Sequence, residues 1–186
     1  MVVILEVLDK TRLWLGILAA STFAYFRNAH VIFVILGAIT TSVIARILKR
    51  LIRQPRPKSC PNPRSTYGMP SNHSASTMYF AVYISLYLAS STPTLTVPLT
   101  LFITILLIAA LSVVWSRVEL GHHTRGQVIA GTIFGCLCAR QWHSLWWEYA
   151  LPWLVDIGFD KRLGVHEIGT VVGYVWDVFR EHVGVR

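Results

Sequence analysis

The sequence predicts an all-α fold, a polytopic transmembrane helical bundle. Apolar residues fill 54% of the 186 positions and charged residues only 14%, too apolar a balance for an ordinary soluble domain. Several apolar runs approach the length a helix needs to cross a hydrocarbon core of roughly 30 Å, about 20 residues. Within lipid, only helices and closed barrels satisfy every backbone polar group, and runs of this length select helices.

Taken in order, the opening Met1-Val2-Val3-Ile4-Leu5-Glu6 is followed by no small-residue cleavage site of the secretory kind, so the N-terminus is expected to be retained. Leu13 to Phe26 is apolar but short; His30 to Leu48 is a full-length run. The stretch from Arg50 to Met69, rich in proline and in Lys and Arg, reads as a polar, non-helical loop outside the hydrocarbon. A connection of that length in a compact membrane protein is expected to be functional or disordered. His73 to Ser90 and Thr96 to Trp115 are again full-length runs. Gly126 to Ala139 reaches that length only by continuing into the aromatic patch Trp142, Trp146 and Trp147. Five spans, over 13–26, 30–48, 73–90, 96–115 and 126–147, then form a transmembrane domain within residues 1–155. In the tail, 156–186, Val165, Ile168, Val172, Trp176 and Phe179 recur at helical spacing among charged residues, the pattern of an amphipathic helix on the membrane surface. Cys60 lies in the polar loop while Cys136 and Cys138 sit in an apolar run, a spacing that makes neither a disulfide framework nor a zinc ribbon.

The formal charge is +8. With antiparallel spans, one side of the membrane collects Lys49, Arg50, Arg53, Arg56, Lys58, Arg64, Arg117 and Arg125, together with His73, His122 and His123, whereas the other side keeps little beyond Arg27 and Arg140. The positive-inside rule alone would place this cationic face in the cytoplasm. Spacing points instead to a site for phosphate. Lys49 and Arg56 are seven residues apart, about two helical turns, and converge if the helix persists toward Pro55. Ser71 is placed to cap a helix whose N-terminal N–H groups would hold a phosphate oxygen, with His73 beside it as a proton donor. Arg117 closes one span and His123 opens the next. Gln127, four residues on, is placed to orient the His123 ring by accepting from one nitrogen and leaving the other to attack phosphorus. His122 competes for that role, because adjacent residues point in different directions. A metal held by His73, His122 and His123 is disfavoured, since hard-metal phosphatases use several carboxylates and only Glu119 is close in sequence. No metal, cofactor or nucleic-acid partner is expected.

Together, Lys49-x6-Arg56-Pro57, then Pro70-Ser71-Asn72-His73, then Ser116-Arg117-x5-His123 resemble the three-part signature of the type 2 phosphatidic acid phosphatase family, over the stretch from Lys49 to Gln127. That resemblance implies a helical core, metal-independent catalysis and a phosphohistidine intermediate. It implies His123 as nucleophile and His73 as general acid, with Lys49, Arg56, Ser71, Arg117 and the backbone N–H groups around Asn72 holding the phosphoryl oxygens. The chain departs from the family's pattern at Gln127, where Asp is usual, and at Asn72, where Gly, Ser or Arg is commoner. A glutamine within His-Thr-x-x-Gln-Val, together with Gly68-Met69-Pro70-Ser71 and Ser116-Arg117-Val118-x-Leu120, is similar to the dolichyl diphosphatase branch. The likeness implies hydrolysis of dolichyl diphosphate to dolichyl phosphate and phosphate, in support of protein N-glycosylation. It further implies a multi-pass protein of the endoplasmic reticulum membrane, its site facing the lumen and its N-terminus on that same face. The alternatives are another lipid phosphatase of the family, acting on undecaprenyl diphosphate, phosphatidate or a similar lipid, and a non-catalytic membrane protein whose basic loop binds anionic lipid. The oligomeric state is not set by the sequence.

Overall fold

The computed structural model describes residues 8, 10–26, 28–60, 67–91 and 96–157. The tail pattern from Val165 to Phe179, together with Arg27 and Arg64, lies outside the described residues. All regular structure among the described residues is helical: α1 (Thr11–Phe26), α2 (Ala29–Ile52), α3 (Asn72–Ser91), α4 (Val97–Glu119) and α5 (Arg125–Leu145), then a π-helical turn (Trp146–Ala150) and α6 (Leu151–Asp156). Pro152 lacks the N–H that would bond the Glu148 carbonyl in a regular ladder, and the wide turn sits where that bond is missing.

Each helix begins and stops for a local reason. The Asn28 side chain accepts from the Val31 N–H at 2.8 Å and starts α2. The same helix ends with Lys49 and Arg50 in its last turn, where cations suit the negative end of the dipole, and with Arg53 in the left-handed region at φ 52°. Pro98 stands in the first turn of α4, where a missing N–H costs nothing. At the head of α5, Thr124 and Gln127 form a reciprocal capping box.

Two helices, α2 and α4, are long and apolar enough to cross a membrane, and little of either is covered by the bundle. Their outward faces carry Leu36, Ile39, Ile47, Leu101, Phe102, Ile105 and Ile108, exposed to an extent that water would not tolerate but lipid favours. On α5, Ile129, Ile133 and Leu137 repeat every four residues and form a similar outward stripe.

The core lies between α3 and α5, the most extensively packed pair. Close approach is set by glycine: a Cβ on Gly131 would strike the Ser71 carbonyl oxygen, and one on Gly135 the Ala75 carbonyl oxygen. This glycine repeat against Ser71 and Ala75 is the small-residue packing that holds helices together where lipid removes the hydrophobic drive. Because α3 is covered by its neighbours, it tolerates buried polar residues that a lipid-facing helix would not: Ser74, Ser76 and Thr77 near its start and Tyr79 and Tyr83 further along. The Tyr79 hydroxyl donates to the Val34 carbonyl at 3.1 Å, in the space left by Gly37. The antiparallel order places the ends of α2 and α4 and the beginnings of α3 and α5 at one end of the bundle.

Gly135→Ala should therefore destabilise the protein by about 1–3 kcal/mol through overpacking. Gly16→Ala on α1, with open space around the new methyl group, should leave stability unchanged or raise it by up to about 1 kcal/mol. Thermal unfolding of both variants in detergent micelles checks the contrast; equal losses would contradict the packing.

Candidate active site

At the shared end of the helices the structure brings the charges of Lys49 and Arg56 to bear on His123. Its frame is the short reversal between α4 and α5. The Arg117 carbonyl accepts from the N–H groups of both His122 and His123, each at 3.1 Å. That reversal passes through Gly121, whose φ of 68° and approach to the Ser59 carbonyl call for glycine. His123 follows directly and is buried, with 6% of its surface exposed.

Gln127 fixes the ring. Its Oε1 accepts from the Thr124 N–H and from His123 Nδ1, both at 3.2 Å. An amide oxygen has only lone pairs to offer, so Nδ1 carries the ring proton and Nε2 keeps its lone pair. The amide orientation is fixed by the Thr124 N–H on its oxygen side and the Pro55 carbonyl on its nitrogen side: Nε2 donates to that carbonyl at 2.8 Å and also to Gln54 Oε1 at 3.2 Å. His123 is therefore held as a neutral base with its lone pair on the far nitrogen.

Electrostatics agrees. Burial, then the charges of Lys49 and Arg56, and to a smaller degree His122, push the His123 imidazolium down to about 3, against a partial opposing effect of the Gln127 hydrogen bond. Lys49 and Arg56 thus act on the same imidazole, although the helix does not persist between them as the spacing argument required. α2 stops at Ile52, Arg53 turns left-handed, and Arg56 lies in extended chain beyond it. Lys49, itself buried, donates from Nζ to the Tyr67 carbonyl at 3.2 Å, and Arg56 reaches Cys60 Sγ at 3.7 Å.

The remaining predicted residues sit on the same frame. Ser71 is fully buried, its Oγ accepts from the Ser74 N–H at 3.4 Å as a helix cap does, and its own N–H donates to the Gln127 carbonyl at 3.0 Å. Asn72 and His73 form the first turn of α3; the Asn72 side-chain oxygen is buried without a hydrogen-bond partner among the described residues. Arg117 is buried at the end of α4, where its guanidinium donates to Ser116 Oγ at 3.1 and 3.3 Å and to the Leu8 carbonyl at 2.9 Å.

Sequence spacing alone did not find Gln54, whose side chain and carbonyl both enter the site, nor the acceptor that Ser116 supplies to Arg117. Thr124-x-x-Gln127 is the capping-box pattern, and it places both residues at a helix start. His123 consequently stands just outside α5 rather than on it, and the four-residue spacing to Gln127 works through the cap, not through a helical face.

The fold and this geometry define a class: a helical membrane protein with a cationic, histidine-bearing site at one end of its bundle. The sequence model of the PAP2 superfamily matches residues 30–150, and the chain belongs to that superfamily. It is 33% identical over 135 residues to Dolichyldiphosphatase 1 of Rhinolophus ferrumequinum, an alignment covering 68% of this chain and 57% of that relative. It is 29% identical over 142 residues to Lipid phosphate phosphatase epsilon 1, chloroplastic, of Arabidopsis thaliana, covering 75% and 50%. The chain thus spans between half and three fifths of the length of these curated relatives. In fold it is similar to the crystal structure of a transmembrane PAP2 type phosphatidylglycerolphosphate phosphatase from Bacillus subtilis, with a TM-score of 0.64, 24% identity and 78% of each chain covered.

The burial of His123 has a consequence for stability. The unfolded imidazole takes a proton below its ordinary value of 6.5, whereas the folded one resists until about 3. Stability contributed by the neutral ring is present above pH 6.5 and declines as pH falls toward 3. Nitrogen-resolved NMR of the free protein should show His123 neutral and protonated on Nδ1 down to pH ~5. His123→Gln should flatten part of the acid-side loss of stability; a ring that titrates near 6.5 would contradict the assignment.

Proposed function

We propose that the protein hydrolyses a lipid-linked phosphate, with dolichyl diphosphate as substrate and dolichyl phosphate and phosphate as products. The observation that carries this reading is the buried His123 with Nδ1 against the Gln127 oxygen and the charges of Lys49 and Arg56 bearing on its ring, a histidine placed as a nucleophile beside the cations that a phosphoryl group needs. Superfamily membership and the names of the relatives support it.

In the first step the His123 Nε2 lone pair forms a bond to phosphorus as the bridging P–O bond breaks, and His73 gives its proton to the departing oxygen. Lys49, Arg56 and Arg117, with the N–H groups at the start of α3, offset the charge on the equatorial oxygens. The Gln127 oxygen holds the Nδ1 proton of the ring as it gains positive character. In the second step water attacks the phosphoryl group, His73 takes the water's proton, the P–N bond breaks and phosphate leaves with His123 restored.

In this reading all five long helices cross the membrane of the endoplasmic reticulum and the site faces the lumen, its cationic excess committed to the substrate rather than to orientation. Similarity to the Arabidopsis lipid phosphate phosphatase favours a second reading, another lipid phosphate in place of dolichyl diphosphate, for which phosphatidate is the test case.

Phosphate release by the purified protein should be faster from dolichyl diphosphate than from phosphatidate; the reverse order would replace the first substrate by the second. His123→Ala should lower turnover by at least about a thousandfold, while His122→Ala leaves it measurable. Chelators should leave activity intact, because the site gathers cations where a hard metal would need carboxylates. Full activity in His123→Ala protein would remove the nucleophile assignment, and phosphate release absent from every lipid would leave only an anion-binding membrane protein.

A further inference from the structure

The carboxamide of Gln127 has two ends, and only one of them faces the histidine. A carboxylate at this position would also accept from Nδ1, and would favour a positively charged ring more than an amide does. It would present no donor to the opposite side, where the Pro55 carbonyl and Gln54 Oε1 lie 2.8 and 3.2 Å from the Gln127 nitrogen. Every hydrogen-bonding capacity of the buried amide is used: two lone pairs toward Thr124 and His123, two N–H groups toward Pro55 and Gln54.

Gln54 is the other half of this link. It stands between Lys49 and Arg56, just past the left-handed turn at Arg53. Its backbone carbonyl accepts from the Gly68 N–H at 2.7 Å, and its side-chain oxygen accepts from Gln127. Gly68 in turn lies so close to Gln127 that a Cβ there would overlap the amide, and the Ser71 N–H is held by the Gln127 carbonyl at 3.0 Å. The Gln54–Gln127 pair therefore touches each of the three chain segments that supply the site.

We propose that Gln54 and the Gln127 amide nitrogen are positioning residues for substrate: together they hold the segment bearing Arg56 in register with His123, so that the phosphoryl group meets cation and nucleophile at once. Glutamine rather than a carboxylate suits this position because the Pro55 carbonyl that faces it is a fixed acceptor and needs a donor opposite. The proposal deepens the phosphatase reading and rests on it for the role of Arg56. The register itself is a property of the free protein.

Two variants test it, with two readouts. Gln127→Glu keeps the size of the side chain and its acceptor toward His123, but sets a carboxylate oxygen against the Pro55 carbonyl and takes away the donor that Gln54 Oε1 accepts from. Gln54→Ala removes one acceptor at an exposed position and leaves the fold in place, so it carries the test if the first variant does not fold. Hydrogen exchange of the purified protein should quicken in residues 53–60 and 67–71 in both variants. With the lipid diphosphate as substrate, Gln127→Glu should raise KM by at least about tenfold, and by a larger factor than it lowers kcat; Gln54→Ala should raise KM about two- to fivefold.

Unchanged exchange in both segments overturns the proposal whatever the activity. A fall in kcat at constant KM in Gln127→Glu also overturns it, because the amide would then serve the histidine alone. Lack of turnover by the wild-type protein would sink the phosphatase reading, with exchange still deciding whether the register exists.

Discussion

The hydrogen bond between the Gln127 oxygen and His123 Nδ1 sets the state of the whole site. It places the ring proton on the nitrogen facing Gln127 and leaves the lone pair on the other, where Lys49 and Arg56 make a further positive charge on the ring unfavourable. Bringing Lys49 and Arg56 to bear on one buried imidazole carries an electrostatic cost within the fold. The rigidity that tolerates such a site comes from elsewhere, from the close contact of α3 and α5 over Gly131 and Gly135.

That contact also links the bundle to the chemistry. Ser71 caps α3, and the Gly131 backbone packs against its carbonyl, while its N–H is tied to the carbonyl of Gln127 at the start of α5. The first turns of the two central helices are therefore one unit. The outer helices α2 and α4 supply cations at their ends, Lys49 and Arg117, where basic side chains also suit the helix dipole. A single placement of charge thus serves the stability of each helix and the site.

Much of this was legible in the sequence because it depends on two simple periodicities. Apolar run length gave the helical class, and antiparallel alternation put Lys49, Arg56, Arg117 and His123 at one end. Polar interior positions were harder to see, since Ser74, Ser76, Thr77 and Tyr79 on α3 are sheltered by neighbouring helices and escape the rule that lipid-facing residues obey. The convergence of Lys49 and Arg56 was foreseen for the wrong reason. A continuous helix was expected, yet the chain turns at Arg53 and returns in extended form, a change set by one left-handed residue that spacing cannot show. Gln54 was invisible because its partners lie 73 and 14 residues away and its side chain has no periodic role. The expected neighbour relation of His123 and Gln127 held through a capping box, for which the sequence did carry a signal.

The most direct test of the account is to locate a phosphoryl group on the protein during turnover. Purified protein mixed with dolichyl diphosphate labelled at its terminal phosphate, quenched in alkali and mapped by peptide mass spectrometry, should carry the label on His123 and lose it on longer incubation with water. Turnover with the label on His73 or His122, or with no labelled histidine at any time, would contradict the central claim.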